Sequence, residues 1–159
     1  MQVVETFGQY VQRWSGSHPD RARDLLRLGW EAQNLKNKYL PDRRLLPADQ
    51  YLAKIMMDAM LKPLQHPASS AIVSVFTPSE ILQEAGLNPY NVEGFSCYLS
   101  GSRAERLFLQ QAENAGISET LCSYHKTFLG AADKDVLPRP NCIVYTNLCL
   151  LYTSPSPRD

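Results

Sequence analysis

A cysteine, a histidine and a lysine lie close together in segment 118–130, "SETLCSYHKTFLG", where a helix is predicted to begin. If Thr120 caps this helix, Cys122 falls in its first turn, where free backbone N–H groups and the helix dipole favour an anion. The thiolate is the form that binds metal or attacks an electrophile, and His125 and Lys126 would favour it further. Free cysteine is also among the most buried residue types. Cys122 is therefore a metal ligand, a nucleophile or a buried thiol.

The cysteines are expected to be reduced thiols. They are Cys97, Cys122, Cys142 and Cys149. The N-terminus, "MQVVETFGQY", has neither the basic start nor the apolar core of an export signal, which predicts a cytoplasmic location, where disulfides are rare. No two cysteines have C-x-x-C spacing, so a metal site would draw its ligands from distant parts of the chain.

Composition is that of an ordinary globular chain. The 159 residues suffice for one domain or part of a larger protein, with 44% hydrophobic and 20% charged residues. Lys+Arg and Asp+Glu both number 16, which gives no indication of a nucleic-acid or anionic-membrane partner. No apolar run approaches the roughly 20 residues that a bilayer span requires, so no membrane partner is expected.

Residues 1–67 are predicted to form a helical lobe, because three apolar patterns with helical spacing follow one another. The patterns consist of Phe7, Tyr10, Val11 and Trp14, then of Leu25, Leu28, Ala32, Leu35 and Tyr39, and then of Leu52, Ile55, Met56, Ala59 and Met60. Ser17 or His18 is the expected cap of the second helix, with Pro19 in its first position, and the third helix is expected to end before Pro63.

Residues 68–148 are predicted to form an α/β domain. Strands are expected at "AIVSVF" and "NCIVYTNL", and "NPYNVEG" is expected to be a second strand or an extended segment. Helices are expected at "TPSEILQEAG", after Ser102 and around Cys122. The order strand, helix, strand, helix, helix, strand is typical of a mostly parallel, Rossmann- or flavodoxin-like sheet, here an incomplete one. Two of these helices begin with a capping-box signal. In the helix after the first strand it is Thr77 with Glu80, and in the next helix it is Ser102 with Glu105.

The last residues, 149–159, read "CLLYTSPSPRD" and are similar to the translation of a transposase-based sequencing adapter. We therefore expect this segment to be an artefact with no packing role, so that the natural sequence is interrupted after Leu148. Cys149 then carries no functional information. The alternative is a natural Ser/Pro-rich tail, which commonly forms a disordered end.

Three blocks occur in this order: "SVFTPSEILQEAGLNPYNVEG", "LCSYHKTFLG" and "IVYTNL". They resemble the 2-hydroxyacyl-CoA dehydratase and benzoyl-CoA reductase family over about residues 71–148. The first is similar to the family's strand followed by Pro-x-Glu-(Leu/Ile)-x-x-Ala-Gly-x-x-Pro. The second is similar to its Cys-(Ser/Pro)-x-x-(Lys/Arg)-x-x-x-Gly segment. The third is similar to the strand that leads into a Thr-x-x-x-Cys-Asp ligand motif.

The resemblance implies a subunit that holds a [4Fe-4S] cluster through three cysteines, the first of which corresponds to Cys122. If Thr146 is the motif's threonine, its Cys-Asp pair would fall on Leu150 and Leu151, and the third cysteine would lie further along. Glu80 matches the family's acidic position and either takes part in proton transfer or serves only in the capping box. The implied partners are an acyl-CoA substrate, a second dehydratase subunit and an ATP-dependent activator protein.

The implied reaction is the elimination of water from a 2-hydroxyacyl-CoA, whose β-hydrogen is not acidic until one electron enters the thioester. An open iron can act as a Lewis acid, and the protein around the cluster sets its potential. The alternatives are a benzoyl-CoA reductase-type subunit and a non-catalytic α/β binding or assembly module in which Cys122 is structural. Cys97 and Cys142 match no ligand position, and Cys142 is expected in the core.

Overall fold

The chain has an α/β fold with an N-terminal helical region and a small parallel sheet. The computed structural model describes residues 2–146, so the predictions for Leu150, Leu151 and the tail 149–159 lie outside the described residues. The elements are α1 (Gln2–Ser17), α2 (Pro19–Tyr39), α3 (Pro47–Gln65), a 3-10 turn (Pro67–Ser69), β1 (Ser70–Val73), α4 (Ser79–Glu84), β2 (Asn88–Asn91), α5 (Val92–Gly101), α6 (Glu105–Asn114), α7 (Ser123–Asp133) and β3 (Cys142–Val144). None of these helices is both long and apolar enough to cross a membrane.

The three N-terminal helices are confirmed, with one wrong boundary. His18 caps α2 and Pro19 is its first residue, where the N–H that proline lacks would have no partner in the helix. The prediction that α3 ends before Pro63 is wrong, since the helix runs to Gln65. Pro63 and Leu64 are buried, and that burial compensates for the hydrogen bond that proline cannot donate.

The buried faces of α2 and α3 match the predicted ones only in part: Met60 is buried as predicted, and Leu25 and Ala59 are partly buried against the core. The buried residues are Ala22, Leu26 and Trp30 in α2, and Met57, Met60, Leu61, Pro63 and Leu64 in α3. The predicted face residues Leu28, Leu35, Tyr39, Leu52 and Ile55 are exposed. Trp30 decides the orientation of α2, because its ring packs against Phe95 and its indole N–H donates to Ser102 Oγ at 3.0 Å.

The described sheet has three strands in the order β2-β1-β3, and both pairings are parallel, as predicted. Strand β1 is central and buried along its whole length. Strand β3 lies at the edge of the described sheet, and Ile143 is therefore 58% exposed. From the sequence, both "AIVSVF" and "NCIVYTNL" are expected in the interior of the sheet. Within residues 2–146 this is wrong for the second of them, and Cys142, expected in the core, is half-buried.

Helix α5 was not predicted, and two of the expected caps are wrong, one of them because of this helix. Ser102 follows the last residue of α5 and donates its hydroxyl to Tyr98 O at 2.8 Å, so it does not cap α6, whose N-cap is Ala104. Thr77 does not cap α4 either, since its Oγ1 accepts from the backbone N–H of Ser74 and Pro78 is the N-cap. Both hydroxyls instead make contacts between elements: Ser102 Oγ accepts from the indole N–H of Trp30 on α2, and Thr77 Oγ1 donates to Val144 O on β3.

One hydrophobic core joins the helical region to the α/β region. It includes Leu26 and Met60 from the N-terminal helices together with Tyr90, Phe95 and Phe128. The division of the chain at residues 67 and 68 stays a prediction.

Tyr90 links the central part of this core to the loop before β3. Its hydroxyl donates to Pro138 O at 3.2 Å, and its ring packs against Phe95 and Phe128. Burial, and secondarily the charge of Tyr145, raises the pKa of Tyr90 well above its ordinary value. A raised pKa in the folded state favours the neutral phenol. The corresponding stability is therefore complete below the unfolded pKa of about 10 and is lost as the pH rises above it.

We expect Tyr90→Phe to be about 1 kcal/mol less stable than wild type at neutral pH, because the hydrogen bond to Pro138 is lost. Between about pH 9 and 11 its free energy of unfolding should fall less steeply than that of wild type, since the unfolded chain then has one phenol fewer that ionises only on unfolding. Urea unfolding across this pH range measures both effects. The exposed Tyr39→Phe is the control, and equal alkaline slopes for wild type and Tyr90→Phe would contradict the prediction.

Candidate functional site

Cys122 is the N-cap of α7, one position before the first helical turn in which it was predicted. Its backbone carbonyl accepts from the N–H of Lys126 at 3.1 Å, which is the first hydrogen bond of the helix. Its side chain makes no capping bond, and the residue is half-buried. Cys122 therefore stands at the start of α7, the end of a helix where free N–H groups favour an anion.

Thr120, the predicted cap, belongs to the loop before α7. Its backbone N–H donates to Ser118 Oγ at 3.3 Å, and the two hydroxyls lie 2.8 Å apart. The N–H of Leu121 donates to Ser118 O at 3.1 Å and closes a turn. These local hydrogen bonds use the threonine hydroxyl, so the helix begins two residues later than predicted.

Lys126 is buried and fully paired, which the sequence did not indicate. Its side chain is 8% exposed, and Nζ lies 2.6 Å from Glu113 Oε1 on α6. Nζ also donates to the backbone carbonyl of Glu119 at 2.9 Å. The lysine thus connects α7 to α6 and to the loop that precedes Cys122.

His125 and its neighbours fix the start of α7 against α5. His125 is 3% exposed, and its Nε2 lies 3.7 Å from Glu93 Oε1. One residue earlier, Tyr124 O accepts from the buried Ser96 Oγ at 2.6 Å. Because α5 follows β2 directly, Glu93 lies near the carboxyl end of that strand. These contacts place the start of α7, and Cys122 with it, on the carboxyl side of the sheet.

Glu93 and Ser96 were not identified in the sequence. They lie in the helix that was not predicted, so only the position of Glu93 just after a strand could have drawn attention to it. The second carboxylate oxygen of Glu93, Oε2, is buried and makes no hydrogen bond within the described part of the chain. A buried carboxylate oxygen of this kind favours an approaching donor.

Three hydroxyl groups meet where β1 and β3 end. Ser74 Oγ lies 3.0 Å from Thr77 Oγ1 and 3.4 Å from Thr146 Oγ1, and Thr77 Oγ1 donates to Val144 O at 3.3 Å. Thr77 and Thr146 therefore lie together at this edge of the sheet. Ser74, which joins them, was not singled out in the sequence, although it directly follows the strand. Ligands of open parallel sheets bind at this carboxyl edge.

Glu80 is exposed in the first turn of α4. The capping-box interpretation is wrong, because Pro78 is the N-cap and no side chain bonds to it. The carboxylate makes no hydrogen bond or ion pair with any residue from 2 to 146 that would fix it. Its alternative role in proton transfer stays a prediction.

The cysteines at positions 97, 122 and 142 are free thiols. Within residues 2–146, no three His, Cys, Asp or Glu side chains are grouped so that they could hold a metal ion. The described residues therefore offer one predicted cluster ligand, Cys122, and by themselves do not fit a complete [4Fe-4S] site.

Comparison of the chain with protein-family models, curated proteins and solved structures gives no match.

Proposed function

We propose that this chain is part of an iron–sulfur subunit of a cytoplasmic 2-hydroxyacyl-CoA dehydratase, in which Cys122 is one of three cysteine ligands of a [4Fe-4S] cluster. The observation that carries the proposal is the position of Cys122. It is a half-buried thiol at a helix N-terminus, on the carboxyl side of a parallel sheet. The resemblance of residues 71–148 to the family supplies the reaction.

The proposal requires cluster ligands from outside residues 2–146. Cys122 is one suitable thiolate, and a cluster requires further ligands that residues 2–146 do not provide. In the proposal these come from a Cys-Asp pair that follows the third strand in the natural sequence and from a third, more distant cysteine. When bound, the cluster supplies the low-potential electron that makes loss of hydroxide from the substrate possible.

The chain's own residues have three tasks in this proposal. The start of α7, held against α5 by Ser96, keeps the thiol half-buried and limits access of water to it. The hydroxyls of Thr77 and Thr146 and the carboxylate of Glu93 offer polar groups at the edge where the acyl-CoA would bind. Glu80, exposed beside the same edge, is the proposed proton-transfer group.

A second candidate function is a benzoyl-CoA reductase-type subunit, since the same three blocks occur in that part of the family. The parallel sheet and Cys122 support both activities equally. The third candidate, a non-catalytic binding or assembly module, requires only that Cys122 be structural. Activity measurements distinguish the three.

We expect the complete subunit, purified without oxygen with its partner subunit and the ATP-dependent activator, to convert a 2-hydroxyacyl-CoA to the 2-enoyl-CoA. Glu80→Gln should lower kcat by about a hundredfold, the size of a general acid–base contribution, whereas Glu84→Gln on the same helix should not. Mass spectrometry of the CoA esters measures the products. Reduction of benzoyl-CoA without dehydration would support the second candidate, and no turnover of any acyl-CoA would overturn the proposed function.

A further inference from the structure

We infer that Lys126 is a positioning residue for Cys122: its buried ammonium group holds the loop before the cysteine in the conformation that places the thiol. The inference rests on the proposed function only in taking Cys122 as the group whose position matters. Nothing in it requires that a cluster be bound.

The first observation is that Lys126 holds both ends of the segment 119–122. Its backbone N–H donates to Cys122 O at 3.1 Å, and its Nζ donates to Glu119 O at 2.9 Å. The segment between these two carbonyls lies outside any helix or strand. A single residue of α7 therefore fixes the beginning and the end of the loop that carries the cysteine.

The second observation is that the lysine is charged where an apolar side chain would be expected. Its side chain is 8% exposed, on a helix that is buried on most sides and that also buries Gly130 one turn further along the same face. Removing an ammonium group from water is costly unless it is paired and hydrogen-bonded, and an apolar residue of similar size often serves stability equally well. Glu113 Oε1, at 2.6 Å, provides the compensating charge.

The third observation is that, of the two partners of Lys126 Nζ, the loop at Glu119 has fewer other contacts than Glu113 on α6. Glu113 belongs to α6, and α6 is already held by its packing against α7. Glu119 and Thr120 are exposed, and the other hydrogen bonds that hold them run within the turn at Ser118. The contact from Nζ to Glu119 O joins this exposed loop to the core. The ion pair thus keeps the ammonium in place, and the ammonium keeps the loop in place.

The test compares alkylation of individual cysteines in the folded 159-residue chain. Iodoacetamide labelling, followed by peptide mass spectrometry, gives separate rates for Cys122 and Cys142. Lys126→Met retains the length of the side chain but removes its donors. We expect Cys122 to react about tenfold faster in this variant, as local opening of the loop exposes the thiol, and Cys142 to change by less than about twofold. Lys134→Met, at the other end of α7, is the matched control.

Rescue by arginine separates positioning from simple core packing. Lys126→Arg keeps the positive charge and the N–H donors, so the rate at Cys122 should return to within about threefold of wild type. The inference is overturned if folded Lys126→Met leaves the Cys122 rate unchanged. It is also overturned if Cys122 and Cys142 accelerate by the same factor, because the lysine would then serve only global stability.

If Lys126→Met does not fold, the inference is tested by amide hydrogen exchange of the Glu113→Gln variant. This variant retains the lysine and removes only its anionic partner, so the ammonium is held less firmly. Amides of residues 119–122 should exchange about tenfold faster than in wild type, with those of β1 unchanged. Unchanged exchange in the loop would overturn the inference. Iron plays no part in these measurements, so they can succeed even if the proposed function fails, and the reverse also holds.

Discussion

We expect Gly130→Ala to lower the free energy of unfolding by about 3 kcal/mol, at the upper end of what overpacking usually costs. A methyl group at Gly130 would overlap the backbone carbonyl of Phe108 in α6. The overlapped atoms belong to a helix backbone and cannot rotate away, so α6 and α7 would have to separate. Urea unfolding followed by the fluorescence of Trp14 and Trp30 measures the change.

Gly16→Ala is the matched control, because Gly16 is also helical and no atom lies within 4 Å of the position of an added methyl group. That substitution should leave stability unchanged or raise it by up to about 1 kcal/mol, since alanine favours the helix. A Gly130→Ala protein as stable as the control would show that α6 and α7 are not closely packed. The ion pair of Lys126 with Glu113 would then also be in doubt, because it requires α7 to lie close to α6.

The Gly130 contact gives a physical reason for the spacing of the block "CSYHKTFLG". Gly130 allows α7 to approach α6 closely, and one turn earlier Lys126 reaches Glu113 and the loop at Glu119. Cys122 begins the same helix one turn before that. The spacing of four residues places the cysteine, the lysine and the glycine along one side of α7.

The order of elements was largely predictable because it is marked locally. Pro19 at a helix start is such a signal and was interpreted correctly. The β-branched run "AIVSVF" correctly marks a buried strand, but β1 ends at Val73, and Val75 and Phe76 are exposed. Parallel pairing followed from the alternation of strands and helices. The edge position of β3 was not predictable, because nothing within the strand states which neighbours it has.

The buried helix faces could not be chosen from apolar spacing alone. Helix α2 carries two apolar stripes, and the one with Leu28 and Leu35 has the larger number of bulky residues. The fold buries the stripe with Trp30 because Phe95 and Tyr98 of α5 provide an aromatic site for it. Helix α5 itself has weak local signals, since it contains two glycines and six other residues of lower helix propensity.

Only those residues of the candidate site that are marked by a signal within a few neighbouring residues could be predicted from the sequence. Cys122 was identified because a cysteine near a helix start is visible in the sequence, although the helix begins two residues later than predicted. Ser74, Glu93 and Ser96 were missed, since their contacts join residues that are far apart in the chain. Capping motifs were misleading for Thr77 and Ser102 for the same reason: each hydroxyl has a tertiary partner.

Loss of cluster iron is the second large effect that we expect. In the complete subunit, reconstituted without oxygen, Cys122→Ala should remove most of the about four iron atoms per cluster, because one of three protein ligands is lost. Cys142→Ala is the control: that half-buried residue matches no ligand position and should leave the iron content unchanged. The present 159-residue chain should bind no cluster, because residues 2–146 contain no group of three metal-binding side chains.

The most direct measurement is therefore the iron content and EPR spectrum of the complete subunit with and without the Cys122 thiol. We predict a [4Fe-4S] signal in wild type and in Cys142→Ala, and at most a small fraction of it in Cys122→Ala. A folded Cys122→Ala subunit with the iron content and EPR signal of wild type would contradict the account, and Cys122 would then be a structural thiol at the start of α7.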